Sequence, residues 1–156
     1  MRVPLLRSRI RRRLLVNYRV APEAVQRLLP PGFRPQLVAE SAIAGVCLIW
    51  LDQVRPDFAR AIPMGLESQN AAHRVAVEWD TKDGTKRGVF ILRRDTNSAL
   101  IGWAGGRIFP GPHGRARFDI RETEDALNLS MLGTDGTAIE VAGTDADELP
   151  QTSIFH

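Results

Sequence analysis

A chain of 156 residues that is 44% hydrophobic and 25% charged has the size and makeup of one globular domain with a substantial core. No run approaches 18 consecutive apolar residues and no apolar stretch follows the N-terminal arginines, which argues against a membrane span and a signal peptide. The net charge of +3 is uneven: residues 1–19 hold seven arginines and no acid, whereas Asp119 to Glu148 holds nine acids and one base, Arg121.

Residues 1–9 read as a basic arm, and residues 10–156 as a single domain. Ile10 to Val20 has the composition of a first strand, with Leu14, Val16 and Tyr18 on one side and Arg13, Leu15, Asn17 and Arg19 on the other. A short helix is expected over 22–29. Pro22 suits its first turn, Val25, Leu28 and Leu29 share an apolar face, and Pro30-Pro31-Gly32 ends it. Gln36 to Leu51 predicts one or two strands, broken or bent near Glu40-Ser41 or Gly45, with a helix as the alternative for the Ala-rich part. Asp52 to Gly65, with Pro56 and Pro63, is a loop, and Leu66 to Asn70 leads into the next strand.

Ala72 to Trp79 alternates, with His73, Val75, Val77 and Trp79 facing one way and Arg74, Ala76 and Glu78 the other. Asp83-Gly84 is a strong hairpin turn, and Gly88 to Arg93 pairs back. Ser98 to Phe109 predicts a further strand and Phe109 to Gly114 a loop. Alternating strands are expected at Arg115 to Arg121 and Ala126 to Leu132, then a turn at Asp135-Gly136 and a strand at Thr137 to Val141. Seven or eight short strands with one early helix predict a β-rich α+β domain, a curved antiparallel sheet or closed β-barrel.

Cys47 is the only cysteine and sits in an apolar run, so it makes no internal disulfide and reads as a buried thiol. A reducing cytoplasm is the default. Three scattered histidines and one cysteine give no metal-ligand spacing, and no phosphate-loop or dinucleotide motif occurs, so neither metal nor cofactor is expected. The basic N-terminus suits an acidic partner or nucleic acid, but no nucleic-acid module or interleaved aromatics accompany it. The plainer expectation is arginines pairing with the acidic C-terminal third. The chain stops at Leu149 to His156 with no capping helix. It reads as a short or truncated version of its fold, whose open sheet edge a second copy could cover in a homo-oligomer.

Five segments keep a telling order and spacing: Asn17-Tyr18-Arg19, Leu28 to Phe33, Gly65 to Ala71, Gly88 to Leu92, and Gly106-Arg107 before Phe109-Pro110. Together they resemble the acetoacetate decarboxylase superfamily, and more closely an uncharacterised bacterial domain family grouped with it. The resemblance implies a barrel pocket in which a lysine forms a Schiff base with a β-keto acid. A second lysine lowers its pKa, and an arginine and a glutamate orient the substrate. By motif position Arg19 falls on the pocket arginine, Glu67 on the glutamate, and Arg107 on the arginine preceding the lysine pair.

The lysine pair itself is missing. Its positions fall on Gly111 and Pro112, or near Gly114 and Arg115. The only lysines, Lys82 and Lys86, flank a hairpin turn, where an amine stays protonated and a poor nucleophile. The expectation is therefore a pocket for a small organic acid or keto compound without Schiff-base chemistry. Arg19, Arg107 and Glu67 would hold the ligand, and Glu67 or His113 would supply acid–base chemistry. His113 stands where the relatives carry their reactive residue, and an unperturbed imidazole has a pKa near neutrality; its plainer reading is an exposed loop histidine. The alternative is a non-catalytic interaction module working through the arginine-rich arm.

Overall fold

The computed structural model describes residues 6–57, 65–99, 102, 111–148 and 151. Strands dominate. In chain order they are β1 (Leu6–Val20), β2 (Arg34–Pro35), β3 (Leu37–Val38), β4 (Ser41–Pro56), β5 (Leu66–Thr81), β6 (Gly84–Thr96), β7 (His113–Glu122), β8 (Ala126–Gly133) and β9 (Ala138–Thr144). A short helix, α1 (Pro22–Gln26), lies between β1 and β2. A β-rich fold with a short early helix is the one the alternation predicts. The residues group into two compact units, 1–115 and 116–156.

In the first unit β1, β4, β5 and β6 pair antiparallel in that order. Strand β1 already begins at Leu6, inside the expected arm. The break in the Gln36 to Leu51 stretch falls at Ala39-Glu40, where both residues have positive φ (46° and 64°) and Leu37–Val38 folds back on Ser41-Ala42. Two consecutive left-handed residues match the twist of a tight hairpin. The expected loop after Leu51 starts later, because β4 runs to Pro56 across a register shift at Gln53.

Helix α1 is shorter than its apolar pattern suggests. Its last bonds are of the i+3 type, Leu28 to the Val25 carbonyl and Leu29 to that of Gln26, so the helix tightens and ends. Val25 is buried, while Leu28 is 59% exposed. Val25 packs with Ala42, Val75 and Val77, and Leu29, Phe33, Trp79, Phe90 and Leu92 surround that cluster. Burying each valine contributes about 1.5–3 kcal/mol.

The β5–β6 hairpin turns through Lys82-Asp83, with Gly84 at φ +103°. This is a turn closed by a left-handed glycine, the shape a three-residue hairpin needs. Past the far end of β6 the expected strand from Ser98 begins instead as a helical turn, since the Gly102 N–H donates to the Ser98 carbonyl at 3.0 Å. Residues 100–101 and 103–109 of that expected strand lie outside the described residues. His113–Arg115 then runs parallel to Arg94–Thr96, the one departure from the antiparallel expectation among the described residues. A parallel pair needs a crossover connection rather than a tight turn between its strands.

The second unit is a three-stranded antiparallel meander of β7, β8 and β9. Leu129 and Met131 are buried and Leu132 is 57% exposed, as strict alternation requires.

Candidate functional site

The hairpin pairing sets two chemically distinct faces on the central sheet of the first unit. From Thr81↔Gly84 down to Arg74↔Ile91 the register is regular, and then His73 pairs with Arg93. Leu92 is therefore an extra residue, a bulge. A one-residue shift reverses which side each following side chain faces. Beyond the bulge Arg93 and Asp95 share the side of His73 and Ala71, and Arg94 and Thr96 share that of Ala72 and Asn70.

On the first side, which also carries the α1 core, Asp95 is wholly buried. Its Oδ2 accepts from His73 Nε2 at 2.8 Å, and its Oδ1 accepts from Arg93 Nε at 2.9 Å and Nη2 at 2.6 Å. A buried carboxylate survives only when paired and fully hydrogen-bonded, and this one is. Gly114 lies opposite Asp95, where a Cβ would sit 2.1 Å from Oδ1, so only glycine fits.

On the opposite side is a cavity of about 150 Å³. Ile49, Leu51 and Ala72 give it an apolar wall, and Asn70, Arg94, Thr96 and His113 bring polar groups to it. Asn70 is held by its amide, which donates to Ser68 Oγ at 2.9 Å and to the Ser68 carbonyl at 3.2 Å. Burial pushes the Arg94 guanidinium pKa down, since a cation loses hydration there. The guanidinium lies beside Gly111, whose φ is +102° and on which a Cβ would stand 3.9 Å from Arg94 Nη1. The His113 ring reaches back to the Gly111 carbonyl from Nδ1 at 2.8 Å. A carbonyl only accepts, so Nδ1 carries a proton, and in the neutral ring Nε2 holds the lone pair.

The residues expected to form the site are not gathered in one place. His113 lines the cavity. Arg19 is exposed and shares the cavity's face, but it pairs with Ile43, six residues before Ile49 on β4 and so about 20 Å away along the strand. Glu67 is exposed and alternates with the buried Ser68, which puts it on the other face. Arg107 lies outside the described residues. Both lysines, Lys82 and Lys86, are exposed at the hairpin tip, and Gly111, one candidate lysine position, has a backbone that strains any side chain. The basic strand spends charge locally: Arg11 pairs with Asp52 at 2.9 Å and Arg7 with Asp57, both within the first unit rather than in the C-terminal third.

Sequence reasoning passed over Arg94, Asn70, Thr96 and Asp95. The hairpin register could have signalled them, had the bulge at Leu92 been visible.

The family model for an uncharacterized conserved protein, DUF2071, matches residues 7–152. The chain belongs to that family. No curated protein matches this DUF2071 member. Several solved structures share its fold. Acetoacetate decarboxylase from Legionella pneumophila subsp. pneumophila str. Philadelphia 1 superposes with a TM-score of 0.61 at 17% identity, over 88% of this chain and 47% of that one. The enduracididine biosynthesis enzyme MppR, complexed with pyruvate, gives 0.63 at 17% identity, over 88% and 57%. An acetoacetate decarboxylase-like enzyme from Sphingomonas wittichii RW1 gives 0.53 at 19% identity, over 77% and 49%. This DUF2071 chain therefore has the acetoacetate-decarboxylase-like fold that its motif order suggested, and it spans about half the length of these solved relatives. No described helix is long and apolar enough to cross a membrane.

Proposed function

We propose that this DUF2071 protein binds a small organic acid or keto compound in the cavity between β4, β5, β6 and the start of β7, without a Schiff-base lysine. The observation that carries this reading is the pairing of an apolar wall with Arg94 and His113 in one cavity of about 150 Å³. At about 30 Å³ per water, that volume suits a molecule of only a few carbons. Arg94 offers a planar fork for a carboxylate. His113 Nε2 offers a proton acceptor, or a donor once the ring is protonated.

Two further observations support the reading. MppR, which shares the fold, is solved with pyruvate bound. The two lysines of this chain are both exposed at the hairpin tip, away from the cavity wall. Any chemistry in the cavity then runs through proton transfer at His113 rather than through an iminium. Arg107 stays in the reading as the second carboxylate ligand expected from the motif. Arg19 and Glu67, which do not line the cavity, drop to a supporting place.

The test pairs thermal-shift screening against small carboxylates and keto acids with reductive trapping. The wild type should gain melting temperature with at least one acid, and His113→Ala or Arg94→Gln should lose that gain. Incubation with pyruvate and cyanoborohydride should leave the protein mass unchanged. Stoichiometric trapping on a lysine would overturn the lysine-free part.

A further inference from the structure

The backbone decides which hydrogen-bonding role each polar group of the cavity wall can play, because a carbonyl oxygen accepts and never donates. Asn70 stands on β5 directly opposite Ile49 on β4 and Thr96 on β6. Its amide nitrogen lies 3.2 Å from the Ser68 carbonyl and 3.5 Å from that of Ile49, and it donates to Ser68 Oγ at 2.9 Å. The two carbonyls fix which end of the amide is which, since an oxygen in that place would meet only other acceptors. The N–H bonds of Asn70 are therefore spent on Ser68 and the neighbouring strand. What the side chain has left to offer is Oδ1, an acceptor.

His113 is fixed in the same way. Its Nδ1 donates to the Gly111 carbonyl at 2.8 Å, so Nε2 of the neutral ring is a second acceptor on the wall. Donors come from β6, where Arg94 and Thr96 both line the cavity, two residues apart. The Thr96 oxygen accepts from the Ser98 N–H at 3.1 Å, and its hydroxyl keeps a hydrogen to donate. A carboxylate only accepts, so it belongs with the β6 donors. A keto oxygen beside that carboxylate would set one more acceptor against Asn70 Oδ1 and His113 Nε2. A hydroxyl in its place brings them a donor.

We infer that the cavity's ligand is a hydroxy acid, its carboxylate on the Arg94 side and its hydroxyl donating to Asn70 Oδ1. The inference rests on the cavity reading above and narrows it, from organic acids and keto compounds to short acids that carry a hydroxyl. Asn70 is then the residue that sets specificity, and Ser68, only 1% exposed, is the one that holds its amide in the selecting orientation.

The experiment is calorimetric titration of the wild type with acids that differ at one group. One set is lactate, pyruvate, propionate and 2-fluoropropionate; the other is 3-hydroxybutyrate, acetoacetate, butyrate and 3-fluorobutyrate. The buffer is held well above the ordinary imidazole value of about 6.5, because a protonated ring would donate to a keto oxygen. In at least one set the hydroxy acid should bind about tenfold or more tighter than the keto acid, the difference expected when a donor replaces a mismatched acceptor. Fluorine is close to a hydroxyl in size and cannot donate, so the fluoro acid should bind no better than the unsubstituted one. Asn70→Leu keeps the size of the side chain without Oδ1, and should cut the hydroxy acid's advantage to about twofold or less while the unsubstituted acid still binds. A keto or fluoro acid that binds as tightly as its hydroxy partner overturns the inference and leaves the cavity reading standing. So does a hydroxy preference that survives Asn70→Leu. Should that variant fail to fold, the fluoro comparison on the wild type decides alone. If no acid of any kind binds, the cavity reading fails and the inference falls with it.

Discussion

The two faces of the β4–β5–β6 sheet are built from the same strands and meet opposite requirements. On one face, small and branched residues pack against α1, Phe33 lies within 5.6 Å of both Trp79 and Phe90, and the one buried acid has every oxygen satisfied. On the other, alanine, glycine and arginine alternate with isoleucine, leaving a cavity that Arg94 and His113 line. The contrast shows how a fold can separate its work. The sealed face supplies stability, and the open face can carry imperfect packing because its partner does not.

Three substitutions test that division. The largest effect should come from Asp95→Ala on the sealed face. It leaves Arg93 and His73 without their shared acceptor and should cost about 3–5 kcal/mol in denaturant unfolding. Leu48→Ala removes a side chain only 1% exposed and should cost about 2–5 kcal/mol by the same assay. Ala72→Leu, one strand position from the Asp95 network but on the open face, should change stability by no more than about 2 kcal/mol. It should nevertheless abolish any ligand-induced thermal shift, because the new side chain fills the cavity. If Ala72→Leu unfolds the protein, the open face is a core after all.

The smallest effect lies at the hairpin tip, remote from both functions. The Arg34 guanidinium, by hydrogen bond and charge, and the Thr85 hydroxyl hold the Asp80 carboxyl at about 2, below its usual 3.8. A depressed carboxylate stabilises the fold above its ordinary pKa, and that contribution fades as pH falls from about 3.8 through about 2. Both groups are exposed, so the contribution is small and salt-screened. Titration of the Asp80 side chain by NMR should show the low midpoint, and Arg34→Ala should return it toward 3.8.

Much of the fold was legible in local signals. Alternation from His73 to Trp79 marked the packed side of β5, Asp83-Gly84 marked the hairpin, and Pro22 and Pro30-Pro31 bracketed the helix. The site was less legible, because it depends on a feature without a sequence signature. Continued without a bulge from the Asp83-Gly84 turn, the hairpin register would set Asp95 opposite Asn70 and Arg94 opposite Ala71. The extra residue at Leu92 exchanges the two faces, sending the acid to His73 and the arginine to the cavity. The motif match did bring attention to His113, but it could not show that Arg19 sits far along the sheet or that Glu67 faces away. The parallel joint of β7 was hidden for a similar reason, since alternation is the same in parallel and antiparallel pairing.

The central claim is that the open face binds a small acid at Arg94 and His113. The most direct test is NMR amide-shift mapping of the wild type, titrated with whichever carboxylate stabilises it most. The account predicts saturable shifts concentrated at residues 70–72, 94–96 and 113. Shifts centred on Arg19, Glu67 or the sealed α1 face, or no saturable shift with any acid, would contradict it.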